Sequence, residues 1–258
     1  MMAKSKLLSE RFGLKSFGPT KDSSLLPPLW EDPNCLGGIH FNVFGLTDCP
    51  KQPANFVFVG AGIPSEPAPI SPKCALITWM DEALAWGEDV VYINMGSMFI
   101  WHEQEFWAFV EALKSVYTMR NGRLRFVFKI NAPIKSDWGF SVASLPSYIK
   151  LTTWIDSQES VYQHAALKAF VSHGGGNVFN EAVYYGVPQL ILSQWLDTHE
   201  LGSLAERFGF GLRSANPPRI EPADVQKKLL YMLGAGRNSL KSKATTWALR
   251  SKLGGGAA

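Results

Sequence analysis

The chain has 258 residues, 46% hydrophobic and 18% charged, which allows one large domain or two small ones of ordinary soluble composition. A net charge of +3 gives no basis for nucleic-acid binding, and the densest basic stretch, Lys241, Lys243, Arg250 and Lys252, suits a solvated helix face. Three cysteines, Cys35, Cys49 and Cys74, lack CxxC spacing and a neighbouring His, which argues against a zinc site or a disulfide framework and fits a reducing compartment.

Residues 1–55 are rich in Pro, Gly, Asn and Asp and hold no lasting period, as in a linker, yet Trp30, Phe41, Val43 and Phe44 predict that this stretch packs against something. Its start, MMAKSKLLSERFG, lacks the apolar core of a signal peptide. No run in the chain approaches a membrane span, so the expectation is a cytoplasmic protein without a transmembrane segment.

From residue 56 the pattern becomes regular. Apolar runs at 56–60, 90–96, 124–130, 151–155, 169–172 and 189–193 are continuous rather than alternating, as in strands buried on both faces. Helical spacing lies between them: Phe106, Phe109, Val110, Leu113 and Tyr117 share one face over 102–117. Further helices are predicted near 75–86, 158–166, 176–185, 198–208 and 221–233, the last opening on Glu221-Pro222. Alternating strands and helices mean a doubly wound α/β fold with a parallel, Rossmann-like sheet, whose ligand sits at the carboxyl ends of the strands. The expected division is a linker over 1–55, one domain over 56–250 and a disordered tail over 251–258.

Residues 170–188, FVSHGGGNVFNEAVYYGVP, carry the chemistry. A His-Gly-Gly-Gly run also serves as an esterase oxyanion hole, but no downstream serine has the G-x-S-x-G setting, and GFSVA at 139–143 lies upstream and ends in Ala. A dinucleotide fingerprint would need glycine where Phe179 stands. A phosphate loop fits: Gly174, Gly175 and Gly176 allow close backbone approach, and the helix that Asn177 starts favours an anion. His173 adds a ring N–H, and Glu181 one turn on can accept bonds from sugar hydroxyls. A tight strand-to-helix turn without a ligand fits the run as well.

From Trp154 to Thr198 the chain resembles the donor-binding signature of family 1 UDP-dependent glycosyltransferases, enzymes of the two-domain GT-B architecture. Gln158, His164, Phe170, Gly175, Asn177, Glu181, Gly186, Val187, Pro188 and Asp197 match at fixed spacing. NFVFVG, TWMDEAL and VVYINMGS look like the opening strand, linker helix and G-S loop of the same domain. The resemblance covers nearly all of residues 55–235 and is to the C-terminal, donor-binding half of a fungal-like UDP-glucosyl or glucuronosyltransferase.

The resemblance implies that His173 and the amides near Gly176 and Asn177 hold the diphosphate, helped by Ser97 after Gly96. It implies Glu181 on the ribose, Trp154 on uracil with Gln158 beside it, and Asp197 on the transferred sugar, with Thr198 next to it. The departures are Ile155 in the register position of Trp154, Ser157 for Pro, Gly176 for Trp, Val178 for Ser and Thr198 for Gln. Trp154 at a strand end also suits a core position, and His164 a structural one. His40 in GGIHFNVFG has the G-H pattern of the family's base but sits too close to the donor domain for that role.

The implied reaction is hexosyl transfer from a UDP-sugar to a small-molecule hydroxyl with inversion, needing no metal or other cofactor. The catalytic base is expected on an N-terminal acceptor half that this chain lacks, so an acceptor-binding domain or subunit is an expected partner. The alternatives are the donor subunit of a split transferase and a non-catalytic nucleotide-sugar-binding protein.

Overall fold

The computed structural model describes residues 38–43, 45–46, 56–63, 74–130 and 144–253. Trp30, Cys35, Phe44, Cys49, the run 139–143 and the GGGAA tail lie outside them. Two units divide the chain. The described part of the smaller is a parallel pair, β1 (Gly38–His40) and β2 (Phe56–Phe58), with the His40 and Phe58 rings 5.1 Å apart. The run at 56–60 was expected to open the large sheet. It pairs with β1 instead and stops before Gly60, which has φ 69°. An apolar run encodes a strand but does not choose its partner.

The larger unit is a six-stranded sheet of β3 (Asp89–Asn94), β4 (Leu124–Lys129), β5 (Ile149–Thr152), β6 (Leu167–Ser172), β7 (Gln189–Ile191) and β8 (Gly211–Arg213). All neighbours pair in parallel, in the order β5-β4-β3-β6-β7-β8. Its helices are α1 (Ala75–Ala85), α2 (Glu103–Met119), α3 (Gln158–Gln163), α4 (Gly176–Tyr184), α5 (Asp197–Arg207), α6 (Pro222–Leu233) and α7 (Arg237–Leu253). None of them is long and apolar enough to cross a membrane.

Continuous apolar strands supply both faces of the sheet. Val91, Ile93, Phe126 and Phe128 pack against Phe106 and Phe109 of α2 and Leu229 and Met232 of α6. Val90, Tyr92, Val127 and Phe170, of opposite parity, pack against Met80 of α1 and Val161 and Tyr162 of α3. A third cluster joins Phe179, Leu204, Phe210 and Trp247 and is completed by Val43 and Leu46, so part of the Pro/Gly-rich stretch is core. Asn180 Nδ2 fastens that stretch to α4 by donating to Phe41 O at 2.6 Å.

The strands β1 and β8 were not foreseen, and α7, expected only as a solvated basic face, also has a core face. β8 is only three residues, too short for a periodic signal. α7 runs through Leu253, into the expected tail, and buries Leu240, Ala244, Trp247, Ala248 and Ser251. Their spacing is helical, but three of the five are alanine or serine, so a count of large apolar residues misses the face. The helix expected over 158–166 ends at Gln163, because His164 turns back and its Nδ1 accepts the Ala166 N–H at 3.1 Å.

Candidate functional site

Strand order places the site. From β3 the chain winds outward through β4 to β5, then returns to lay β6 against the other edge of β3. The reversal opens a crevice beyond the carboxyl ends of β3 and β6. Asn94 to Gly96 leave one strand there, and Ser172 to Gly175 leave the other.

His173 lies in this crevice with 9% of its surface exposed. Glycines bound its ring: a Cβ on Gly96 would stand 2.3 Å from His173 Cε1, and one on Gly175 would stand 2.7 Å from Cε1 and Nε2. Gly96 has φ 77° and Gly174 φ 88°, and a Cβ on Gly174 would meet Ile191 Cγ2 at 2.6 Å. The glycine run thus serves close packing and left-handed backbone together. The ring's Nδ1 is buried with no hydrogen-bond partner. Burial pushes the imidazole pKa down, against the pull of the Asp197 carboxylate, which favours the neutral ring near pH 7.

The head of α4 adjoins this ring. Its N-cap is Gly175, which has no side chain to cap the helix, and the Phe179 N–H closes the first turn on Gly175 O at 3.0 Å. The amides of Gly176, Asn177 and Val178 precede that bond, and the helix dipole adds positive character to them. Nothing lies within 4 Å of a Cβ built on Gly176, and Asn177 is exposed. Ser97, in the loop after β3, is exposed as well.

A hydrogen-bonded chain runs from this loop to Glu181. Gly96 N–H donates to Asn94 Oδ1 at 3.0 Å, and Asn94 Nδ2 donates to Gln158 Oε1 at 2.8 Å. Tyr92 OH donates to the same oxygen at 2.7 Å, and Gln158 Nε2 donates to Glu181 Oε2 at 2.6 Å. Gln158 is held at the start of α3 because Ser157 caps that helix, its Oγ accepting the Ser160 N–H at 3.1 Å. Burial raises the Glu181 pKa, and the bond from Gln158 works against that rise.

Tyr92 and Asn94 were missed in the sequence. The signal available was a hydroxyl and an amide inside an otherwise apolar buried strand, where each needs a partner.

Trp154 is 71% exposed, while Ile155 is buried, so the core position expected for the indole belongs to its neighbour. Thr152 Oγ1 donates to Trp154 O at 2.6 Å, the indole N–H donates to Asp156 Oδ1 at 3.1 Å, and Lys129 Nζ lies 5.8 Å from the ring centroid. His164 is structural: with Nδ1 accepting from Ala166, its Nε2 donates to Asp81 Oδ1 on α1 at 3.1 Å.

Asp197 is exposed at the first turn of α5, but Thr198 is 1% exposed. The Thr198 hydroxyl accepts from the Gln194 and Trp195 N–H groups, each at 3.0 Å, and donates to Trp195 O. It therefore holds the loop rather than lining the crevice. The loop contains Leu196 at φ 39°, a conformation disfavoured for a residue with a side chain. Thr198→Val should lower stability by about 1–2 kcal/mol, because two half-buried amides lose their acceptor; urea unfolding measures it, and a cost below about 0.5 kcal/mol would contradict this reading.

Among the described residues, no group of three or more His, Cys, Asp or Glu side chains is placed to hold a metal ion.

Comparison with known proteins agrees with this geometry. A solved glycosyltransferase of kitacinnamycin superposes with a TM-score of 0.69 at 15% identity, over 99% of this chain and 58% of that one. Os79 from O. sativa, in complex with U2F and trichothecene, gives 0.64 at 18% identity over 76% and 44%. Both show the GT-B fold. Erythritol-mannosyl-transferase 1 of Mycosarcoma maydis is 35% identical over 351 residues, covering 100% of this chain and 57% of the relative. Gallate 1-beta-glucosyltransferase 84A23 of Punica granatum is 28% identical over 67% of this chain and 36% of that protein. The chain spans little more than half the length of the first of these relatives and about a third of the second. The first alignment is longer than the chain itself, so that relative carries stretches which this chain lacks. The family model for UDP-glucoronosyl and UDP-glucosyl transferase matches residues 55–200, and the chain belongs to that family.

Proposed function

We propose that the crevice is the donor site of a UDP-dependent hexosyltransferase, and that this chain supplies the half which binds the nucleotide sugar and stabilises its leaving group. One observation carries the reading: a helix head without a side-chain cap and a glycine-bounded His173 meet at the point where strand order reverses.

In this reading the amides of Gly176 and Asn177, with His173 and Ser97, hold the diphosphate. Glu181, fixed by Gln158, takes the ribose hydroxyls, and the exposed Trp154 stacks on uracil. Asp197 binds hydroxyls of the sugar, and Thr198 keeps the Asp197 loop in shape. The name of the Mycosarcoma maydis relative suggests mannose as the sugar and a small polyol as the acceptor.

Transfer is a single displacement. A base removes the acceptor proton, the acceptor oxygen bonds to the anomeric carbon from the far side, and the bond from that carbon to the β-phosphate oxygen breaks. The electron pair leaves with UDP, the carbon inverts, and the growing charge on the diphosphate falls on the helix head and His173. Neither task requires a metal. The base is assigned to an acceptor half, as a domain or a separate subunit.

Calorimetric titration with UDP, uridine and GDP, in EDTA, tests the ligand class. UDP should bind saturably, and at least about tenfold more tightly than either uridine or GDP, if the diphosphate and the smaller base are both recognised. Equal binding of UDP and uridine would contradict the phosphate cradle, and tighter GDP binding would contradict uracil recognition.

A further inference from the structure

The basic stretch at the C-terminus has no part in the crevice, yet the fold gathers it. α7 holds Arg237, Lys241, Lys243, Arg250 and Lys252 in seventeen residues and no carboxylate. Arg237, Asn238, Lys241 and Lys252 line a cavity of about 560 Å³ together with Lys168 of β6 and Tyr184 of α4. The cavity shares no residue with the crevice. It lies at the opposite, amino-terminal end of the strands, where β6 begins at Leu167 and Val187 leads into β7.

The lysines are fixed rather than free. Lys241 Nζ donates to Gly186 O at 2.7 Å, Lys168 Nζ donates to Ala165 O, and Lys252 Nζ stands 5.2 Å from the Tyr184 ring centroid. Arg237 is neutralised, since Asp89 accepts from its Nη1 at 2.9 Å and its Nη2 at 3.2 Å. No ion pair neutralises Lys168, Lys241 or Lys252 among the described residues, and no Asp or Glu lines the cavity. Burial lowers the pKa of both Lys168 and Lys241; the Asp89 carboxylate, already paired with Arg237, works against the fall at Lys168, and Lys168 lowers Lys241 further by repulsion. Lys168 is half-buried and Lys241, though exposed, is held by its hydrogen bond, so two like charges stay close at one cavity and gain from an anion that joins them.

We propose that this cavity is a second anion site, which takes a phosphate ester. Lys168, Lys241 and Lys252 surround the phosphate, the head of α7 at Asn238 adds amide donors, and Tyr184 with Leu167 and Val187 forms a wall for the organic part of the ester. The ester is either a soluble metabolite or the headgroup of an anionic lipid.

The test titrates inorganic phosphate at low salt into the whole chain carrying His173→Ala, so that the proposed cradle contributes little. Adding Lys168→Gln/Lys241→Gln should weaken binding at least about tenfold, and Lys168→Arg/Lys241→Arg should keep it within about threefold. Lys252→Gln, on an exposed helix end, gives a second reading that leaves Lys168 and Lys241 unaltered; it should weaken binding about threefold. Vesicles of phosphatidylcholine with phosphatidic acid separate the sources. Sedimentation with them, lost in the Gln pair, assigns a lipid headgroup; phosphate binding without sedimentation assigns a soluble ester. No phosphate binding by a folded chain, or binding indifferent to the Gln pair and to Lys252→Gln, would overturn the site. Neither outcome depends on whether UDP binds at the crevice.

Discussion

Gly96→Ala is expected to weaken both nucleotide binding and the fold. The new Cβ would stand 2.3 Å from His173 Cε1 and within 3.0 Å of both ring nitrogens, at a backbone φ of 77°. The ring is hemmed in, because Gly175 also lies close to it: a Cβ there would stand 2.7 Å from the same Cε1. Overpacking and the left-handed backbone together should cost about 2–4 kcal/mol of stability. Displacing His173 should lower UDP affinity about 10- to 100-fold, as removing it does. Gly176→Ala is the matched control: it adds the same methyl where nothing lies within 4 Å, and helix propensity predicts a gain of about 0.5–1 kcal/mol with little change in binding. Denaturant unfolding and calorimetry on the two variants measure both quantities. Equal behaviour of the pair would refute the steric account.

Glu181→Gln separates function from stability. The carboxylate accepts from Gln158 Nε2 at 2.6 Å, and an amide oxygen in its place can accept the same bond. Burial raises the Glu181 pKa above its value in the unfolded chain. A raised pKa contributes stability that is present below the unfolded value and is lost as pH rises through the folded value. At pH 7 the wild-type chain therefore carries a half-buried charge that the variant lacks. Glu181→Gln should melt at the same temperature as wild type or higher at pH 7, and the difference should shrink toward pH 4. UDP affinity should fall about 10- to 100-fold, because the proposed ribose contacts lose a charged acceptor. A variant that is less stable at pH 7 with unchanged UDP affinity would make Glu181 a structural residue.

Much of this arrangement was legible from local pattern. Continuous apolar runs announce a sheet covered on both faces, and Val90 against Val91 or Tyr92 against Ile93 then divide between the two cores as parity requires. The glycine run after an apolar strand announces a tight turn into a helix, because only glycine fits beside His173 and at the φ of Gly174.

What was illegible depends on contacts distant in sequence. Asn94 and Gln158 are 64 residues apart, and nothing near either of them names the other. Trp154 looked like a core residue because its strand is apolar. The chain turns one residue later, so Ile155 enters the core and the indole stays outside. Thr198 matched the place of a sugar-binding residue, but its hydroxyl is taken by backbone groups three and four residues away. Lys241, Lys243, Arg250 and Lys252 of α7 are exposed, as a solvated face requires, but that two of them share a cavity with Lys168 could not be read locally, because Lys168 comes from another element.

The central claim is that His173 and the head of α4 form a diphosphate cradle. The most direct measurement is the affinity of the whole chain for UDP in EDTA, wild type against His173→Ala, with both shown to be folded by circular dichroism. The account predicts saturable binding by wild type and a loss of about 10- to 100-fold in the variant, the effect of removing one hydrogen bond to a charged group. UDP affinity unchanged by His173→Ala would contradict it.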